Sequence, residues 1–339
     1  MIQRRTITSD APPSPDVYFS PGYGAACQID SGGTWLGLGD EEGEWQLPIL
    51  ISPVPNHDGI WDGSSPYGYA GVATTSGLSE DRQRKLWSQA TDALRDSGVV
   101  ALFLRHSPLV PTMSPHLMGS HVEVVSDHPT IVVDISSPDT MWEALAGRTR
   151  TAVRKALKSG LTAHVRPMDV HDCDGGSPFR RLYSSTMERV GANARYHFPD
   201  DYFVTLRDRL RGNLYVAEVT DEDGDTGAAA LLMRHGNIVH YHLSGSNPTK
   251  ARLGANNLMI WAAMTWAAEY GLDRFHLGGG VSLNDPLLRF KQSFGGRELS
   301  FSATGHIIIP DRYDQLVRRT RQDPERPPNF FPAYRWSAN

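Results

Sequence analysis

A run of positive charge lies in the middle of the chain. Between Glu143 and Asp169 there is no acidic residue and there are six Lys/Arg. On a helical wheel Arg148, Arg150, Arg154, Lys155 and Lys158 share one side. Such a face suits phosphate oxygens, each neutralised phosphate adding close to ~1 unit to the log-log salt slope. An ordinary solvated face is the plainer reading, but such faces usually mix signs. In Ile238–Leu243, strand alternation puts His240 and His242 on one face and Tyr241 on the other. No carboxylate or third ligand stands at a helpful spacing, so no metal site is expected. His171-Asp172-Cys173-Asp174 before Gly175-Gly176 reads as an acidic loop. Gly278-Gly279-Gly280 lacks the G-x-G-x-x-G pattern and is either a turn or a place of close backbone approach. Lys291 follows Phe290 on a short segment. A lysine there is either solvated, as most are, or a fixed cation able to meet a developing oxyanion. Phe290 and Phe294 fit a core equally well.

The elements that would hold these residues are legible in outline. Residues 1–22 are Pro- and Ser-rich and read as a surface wrap. Thr34–Leu38 and Trp45–Ile51 read as a strand pair with a turn at Asp40–Gly43. Ser64–Gly71 is a loop dense in glycine and tyrosine, and carries Tyr67 and Tyr69. Ser79–Ser97 predicts a helix capped by Ser79, and Val99–Leu104 a buried strand. Val122–Val125 and Ile131–Ile135 predict two more strands. Ser137-Pro138-Asp139 opens a helix that is expected to run unbroken to Ser159. Its apolar side would carry Trp142, Leu145, Ala146, Ala152, Val153, Ala156 and Leu157. From Pro178 onward the expected order is helix, helix, three strands, a helix over Asn257–Tyr270, a strand at Phe275–Leu277, a short helix near Pro286–Ser293, and a β segment at Leu299–Ile309. A last helix, Tyr313–Thr320, precedes a proline-rich tail.

Composition excludes several classes. The chain has 339 residues, 33 Lys+Arg against 38 Asp+Glu, and a net charge of −5, which is not that of a generic nucleic-acid coat. Its longest uninterrupted apolar stretch, Leu258–Met264, has seven residues, whereas a membrane span needs ~20. Two cysteines, Cys27 and Cys173, exclude a disulfide scaffold and a cysteine-cluster zinc module. No apolar run follows Arg4 and Arg5, so no signal peptide is expected and the protein reads as cytoplasmic.

Ser65-Pro66-Tyr67-Gly68-Tyr69-Ala70-Gly71, Arg150–Gly160, His240–Ser246, Gly254–Trp261, His276–Gly280 and Leu288–Gly295 together resemble segments of the Fem-type aminoacyltransferases of the GNAT superfamily. They spread from about residue 16 to 310. The long charged coiled-coil arm of some members is missing, as it is in shorter members. The resemblance implies an α/β fold of mixed sheets in tandem GNAT-like domains. Residues 1–145 would form the first, with the tail 311–339 packed on it, and residues 146–310 the second. It implies transfer of an amino acid from aminoacyl-tRNA to an amine of a small peptide, a cell-wall precursor or an antibiotic precursor. Aminoacyl-tRNA is then a co-substrate and no cofactor is needed, because the ester is already activated. Lys291 and Phe290 become the catalytic candidates, since in the family this pair sits where the terminal adenosine and the reacting carbonyl meet. Tyr241, Tyr67, Tyr69, Arg195 and Tyr202 become substrate contacts, and the Arg148–Lys158 face the tRNA contact. The rival is a CoA-dependent N-acyltransferase. Its [R/Q]-x-x-G-x-[G/A] pyrophosphate turn is matched only in part by Ala251-Arg252-Leu253-Gly254-Ala255-Asn256. A binding module with a degenerate GNAT fold is the third reading.

Overall fold

The computed structural model describes residues 2–5, 14–119, 122–280, 286–319, 326–327 and 330–336. Parts of the proline-rich tail and of the N-terminal wrap lie outside these. The chain divides into two compact units, residues 1–127 with 300–339 and residues 128–299.

The first unit begins with β1 (Ile2–Arg5), then α1 (Pro21–Ser31), which starts where the surface wrap expected over residues 1–22 ends. Ser20 caps α1 by accepting from the Tyr23 amide, and Pro21 takes the first turn, where its missing N–H costs nothing. Val17, Tyr18, Phe19 and Tyr23 are buried, so this segment is core. The expected strand pair is β2 (Thr34–Asp40) against β3 (Trp45–Pro53), with Trp35 opposite Leu50, and the Asp40 carboxylate accepts from the Trp45 amide to close the turn. β4 (Trp61–Ser64) and β5 (Ala73–Thr74) add to β3. α2 (Glu80–Asp96) starts at Ser79 as expected; it buries Leu86, Trp87, Ala90 and Leu94 and leads to β6 (Val99–Arg105), which runs parallel to β4.

The two strands expected over residues 122–135 are one, β7 (Val122–Asp134). The expected long helix is two: α3 (Pro138–Ala144) and α4 (Gly147–Lys158). Leu145 adopts an extended backbone between them, and Leu157, expected inside, is 54% exposed. β8 (Thr162–Pro167) follows, then the acidic 171–174 loop, whose Asp172 receives both guanidinium arms of Arg166 at 2.6 and 2.7 Å. α5 (Pro178–Arg189), α6 (Asp200–Leu210), β9 (Leu214–Thr220), β10 (Thr226–His235) and β11 (Ile238–Ser246) come next. After them run α7 (Pro248–Arg252), α8 (Ala255–Glu269), β12 (Arg274–Gly279) and α9 (Pro286–Gln292).

The sheet of the second unit runs β7–β12–β11–β10–β9–β8, antiparallel throughout except for the β11–β12 pair. α8 is apolar almost all round and lies on one face with α4, burying Leu258, Met259, Ala263, Met264 and Trp266 against Val153, Ala156, Val219 and Phe275. A helix apolar on every side is one packed between layers. The opposite face carries α5, and β11 passes so close beneath it that a side chain at Gly245 would strike the Leu182 backbone.

β13 (Arg297–Ile307) pairs with β6, and α10 (Pro310–Arg319) covers the first unit's sheet with Leu316 and Tyr313. Tyr334 and Arg335 bind Asp62 of β4, the arginine at 2.5 and 2.8 Å. Among the described residues no helix is long and apolar enough to cross a membrane.

Candidate active site

A parallel strand pair joined by a crossover helix is normally paired along its length. β11 and β12 are not. Their pairing runs for three residues, Ile238 to Arg274, Val239 to Phe275 and His240 to His276, and stops. Beyond it β11 stays with β10 and β12 with β7. The parting coincides with a bulge: Leu231 faces Leu243 and Leu232 faces Tyr241, so His242 is the extra residue. A bulge re-aims side chains, and the strict alternation expected for His240, Tyr241 and His242 does not carry through it.

Lys291 lies across this opening. It is 7% exposed, its Nζ donates to the Gly279 carbonyl on β12 at 2.7 Å, and it stands 5.8 Å from the centre of the Tyr241 ring on β11. The reading of Lys291 as a solvated side chain therefore fails. A carbonyl oxygen and the negative face of a phenol ring together offset part of the cost of burying an ammonium. Phe290 is half-buried, edge-on to the buried Phe294 at 5.3 Å.

Beneath Lys291 is a layer of buried imidazoles. His240 and His276 face each other Nδ1 to Nδ1 at 3.1 Å, and His276 Nε2 meets the Thr130 hydroxyl at 2.6 Å. One Nδ1 must donate and the other accept, so the two rings do not both carry a proton there. Burial, then His240, then Lys291 hold His276 well below the usual imidazole range. Burial, then His240, lower His242 to about 3. Burial pushes the Tyr241 phenol up to about 12 against a hydrogen bond with Ser244. At neutral pH the Lys291 side chain thus faces uncharged neighbours.

The other predicted residues are placed as follows. Tyr202 is fully buried, stacked on Phe198 at 4.4 Å, with its hydroxyl 3.0 Å from His242 Nε2. It supports the histidine layer and offers no exposed acceptor contact. Arg195 is exposed, its guanidinium 5.0 Å over the Tyr196 ring. Tyr67 and Tyr69 belong to the first unit. The Tyr67 carbonyl accepts from Tyr23 at 2.6 Å, and the half-buried Tyr69 ring stands edge-on to Phe301 at 4.9 Å.

Much of the basic face of α4 is engaged within the second unit. Arg148 donates to the Arg289 carbonyl at 3.0 Å, and Arg150 reaches the carbonyls of Glu143 and Leu145 at 2.9 and 2.5 Å. Arg154 lies 5.2 Å over the Trp142 ring, and Lys155 donates to the Arg252 carbonyl at 2.8 Å. Lys158 is exposed in the last turn. At the partial pyrophosphate motif, α8 starts at Gly254 with no side-chain cap, and Lys250 pairs with Asp221. A Cβ at Gly254 would run into the Ala152 carbonyl of α4. The acidic trio Asp40, Glu42 and Glu44 brings carboxylate oxygens within 4.8 Å of one another in the first unit, where Arg82 lies 2.9 Å from Glu42 and 3.7 Å from Asp40.

Thr130, Thr149 and Ser293 escaped the sequence reading. Nothing in their local sequence marks them, because their partners lie up to 146 residues away. His276 carried a signal only as part of the HLGGG segment.

Comparison with known proteins bears on the fold. Residues 147–292, which include both the basic helix and Lys291, match the family described as acetyltransferase (GNAT) domain. A search of curated proteins finds no match. Among solved structures the chain is similar to FemX, at 16% identity and a TM-score of 0.69 over 92% of this chain and 99% of that one. It is also similar to the C-terminal domain of a putative lysylphosphatidylglycerol synthetase from Agrobacterium fabrum, at 15% identity and 0.54 over 87% and 91%. A tandem GNAT protein from the clavulanic acid biosynthesis pathway follows at 10% identity and 0.50 over 82% and 84%. The fold is the mixed α/β, tandem GNAT fold that the Fem-type resemblance implied.

Proposed function

We propose that the protein is an acyltransferase that moves an amino acid from aminoacyl-tRNA to the amine of a small peptide or a cell-wall or antibiotic precursor, in the cytoplasm. The observation that carries this reading is the buried Lys291 ammonium held across the gap between β11 and β12 by the Gly279 carbonyl and the Tyr241 ring. The likeness in fold to FemX supports it.

In the proposed reaction a neutral amine attacks the ester carbonyl. A carbon–nitrogen bond forms, and the carbonyl oxygen gains negative charge as the tetrahedral intermediate appears. Lys291 meets that charge; one well-placed donor supplies about 3–4 kcal/mol. The carbon–oxygen ester bond then breaks, and the proton lost by the amine goes to the departing ribose oxygen. Because the ester is already activated, neither ATP nor a metal enters this scheme. Phe290 is assigned to the terminal adenosine, and Tyr241 to the substrate beside Lys291. Tyr67 and Tyr69 remain substrate-contact assignments, and Arg195 an acceptor-contact assignment. Arg154 and Lys158 are the members of the basic face best placed for phosphates, because Arg148, Arg150 and Lys155 hold backbone carbonyls.

The rival donor is acyl-CoA. One observation favours it: α8 begins without a side-chain cap, and a helix start of that kind attracts anions. The α4 backbone packed against Gly254 opposes it. The deciding experiment supplies purified protein with a labelled amino acid in a translation extract. Under the proposal transfer to an amine acceptor stops on RNase treatment. Transfer that survives RNase and requires acyl-CoA replaces the proposal with the rival.

A further inference from the structure

α9 is a seven-residue helix, too short to hold its shape alone. Its final carbonyls accept from the turn beyond it, Phe290 from the Ser293 amide and Lys291 from the Phe294 amide, each at 3.2 Å, yet it must keep Lys291 in place. The first turn of α4 adds side-chain ties to that turn. The Thr149 hydroxyl donates to the Ser293 hydroxyl at 2.8 Å, and Ser293 donates to the Phe290 carbonyl at 2.6 Å. Arg148 donates to the neighbouring Arg289 carbonyl at 3.0 Å, and the Ala146 amide to the Ser293 carbonyl at 2.9 Å. On the far side Gly295, at φ +82°, lets the chain turn flat against the Ala144 carbonyl, where a Cβ would collide. Thr149 is 1% and Ser293 5% exposed, so water does not compete for the chain of hydroxyls.

We propose that Thr149 and Ser293 are positioning residues for Lys291, acting through this hydroxyl chain from the first turn of α4 to the carbonyl of the residue before the lysine. The proposal rests on the reading of Lys291 as the group that meets the oxyanion. It also explains the break between α3 and α4: an unbroken helix would tie the Ala146 amide into its own ladder and leave the Ser293 carbonyl without it.

The test uses the full chain carrying Ser293→Ala, Thr149→Val or Thr149→Ser, with two readouts. The first is pulse labelling of lysines by acetic anhydride in the free protein, read residue by residue by mass spectrometry. The second is the kcat and KM of aminoacyl transfer. Losing the chain is expected to lower kcat about ten-fold in Ser293→Ala, with the KM for aminoacyl-tRNA unchanged. Lys291 labelling is expected to rise in Ser293→Ala and Thr149→Val, and Thr149→Ser to restore both readouts. Lys291 labelling unchanged in a folded Ser293→Ala protein overturns the inference. Full transfer activity in Lys291→Ala overturns the functional reading instead, and the labelling result still judges the hydroxyl chain.

Discussion

Among the described residues each unit shows a parallel strand pair closed by a crossover helix, and the two pairs end differently. In the first unit β4 and β6 stay paired from Trp61 and Val99 to Ser64 and Phe103, through one register shift between Trp61 and Asp62. Past the strand end the Ser65 amide still donates to the Phe103 carbonyl, and the Arg105 amide to the Ser65 hydroxyl. Ala70 and His106 then form a further parallel bridge. In the second unit β11 and β12 separate after His240 and His276, and a lysine and a tyrosine occupy the opening. A sealed pair satisfies its backbone with its own backbone. An opened pair must find other partners for it, and Lys291 is one, on Gly279. The same separation that exposes a carbonyl to be bound creates room for a substrate carbonyl to replace it. The proposed chemistry belongs to the second unit's opening.

What the two units share is a buried, neutral histidine layer. In the first, the Thr304 hydroxyl lies between His106 Nε2 at 2.8 Å and His306 Nε2 at 2.7 Å. Burial lowers His106 to about 4; burial and then His106 lower His306 to about 3. The sign of the linkage follows. Above pH ~6.5 both folded and unfolded histidines are neutral. Below it the unfolded chain takes up protons that the folded chain refuses, so stability falls with pH. Between pH 8 and 5, His306 and His242 are each expected to remove about 2 kcal/mol, with His106 and His276 acting in the same direction. Urea unfolding at the two pH values measures this, and equal stabilities would show that neither layer refuses protons.

The next effect separates the units. Lys291→Ala is expected to lower kcat by about 10²–10³ while the melting temperature changes little. Single-turnover transfer would report it, and a loss under ten-fold would remove the opened pair's claim to the chemistry. A smaller effect probes the layers themselves. Thr304→Val and Thr130→Val each leave imidazole nitrogens without the hydroxyl and are expected to cost about 1–3 kcal/mol of stability. Only Thr130→Val, beneath Lys291, is expected to lower kcat as well. The same kcat from both variants would mean that the second layer does nothing for the lysine.

How far the sequence reached follows the same divide between local and distant causes. Strands β2, β3, β6, β9, β10 and β11, and helices α2, α5 and α6, were legible because their caps and apolar spacing lie within each segment. α1 was not: Gly22 and Gly24 weaken its helical pattern, yet Gly24 is needed because the Trp35 ring lies where its side chain would be. The α3–α4 break was hidden too. Leu145-Ala146 contains no breaker, and the break comes from the Ser293 carbonyl and from Arg150 capping α3. Lys291 was named through the family resemblance, and its burial could not be read from a seven-residue segment. Tyr202 was named as a contact residue with the family resemblance, whereas the aromatic cluster of Phe179, Tyr183, Phe198 and Phe203 encloses it.

The smallest effect tests what the basic helix contributes to the opened pair. Composition treats its five cations alike; the structure does not. Removing Arg148 or Arg150 also removes bonds to the carbonyls of Arg289, Glu143 and Leu145, so a loss of activity there would mix binding with positioning. Arg154 and Lys158 give the cleaner test. Arg154 lies over the half-buried Trp142 ring, and Lys158 stands in the last turn. The double change of both to Ala is expected to weaken tRNA binding less than ten-fold and to reduce the log-log salt slope by about 1–2 units. Stability should move by less than about 0.5 kcal/mol, as for most surface changes. Filter binding across a salt series measures the slope. If the slope is unchanged, phosphates do not meet α4, and the helix serves the site only through the turn that holds Phe290 and Lys291.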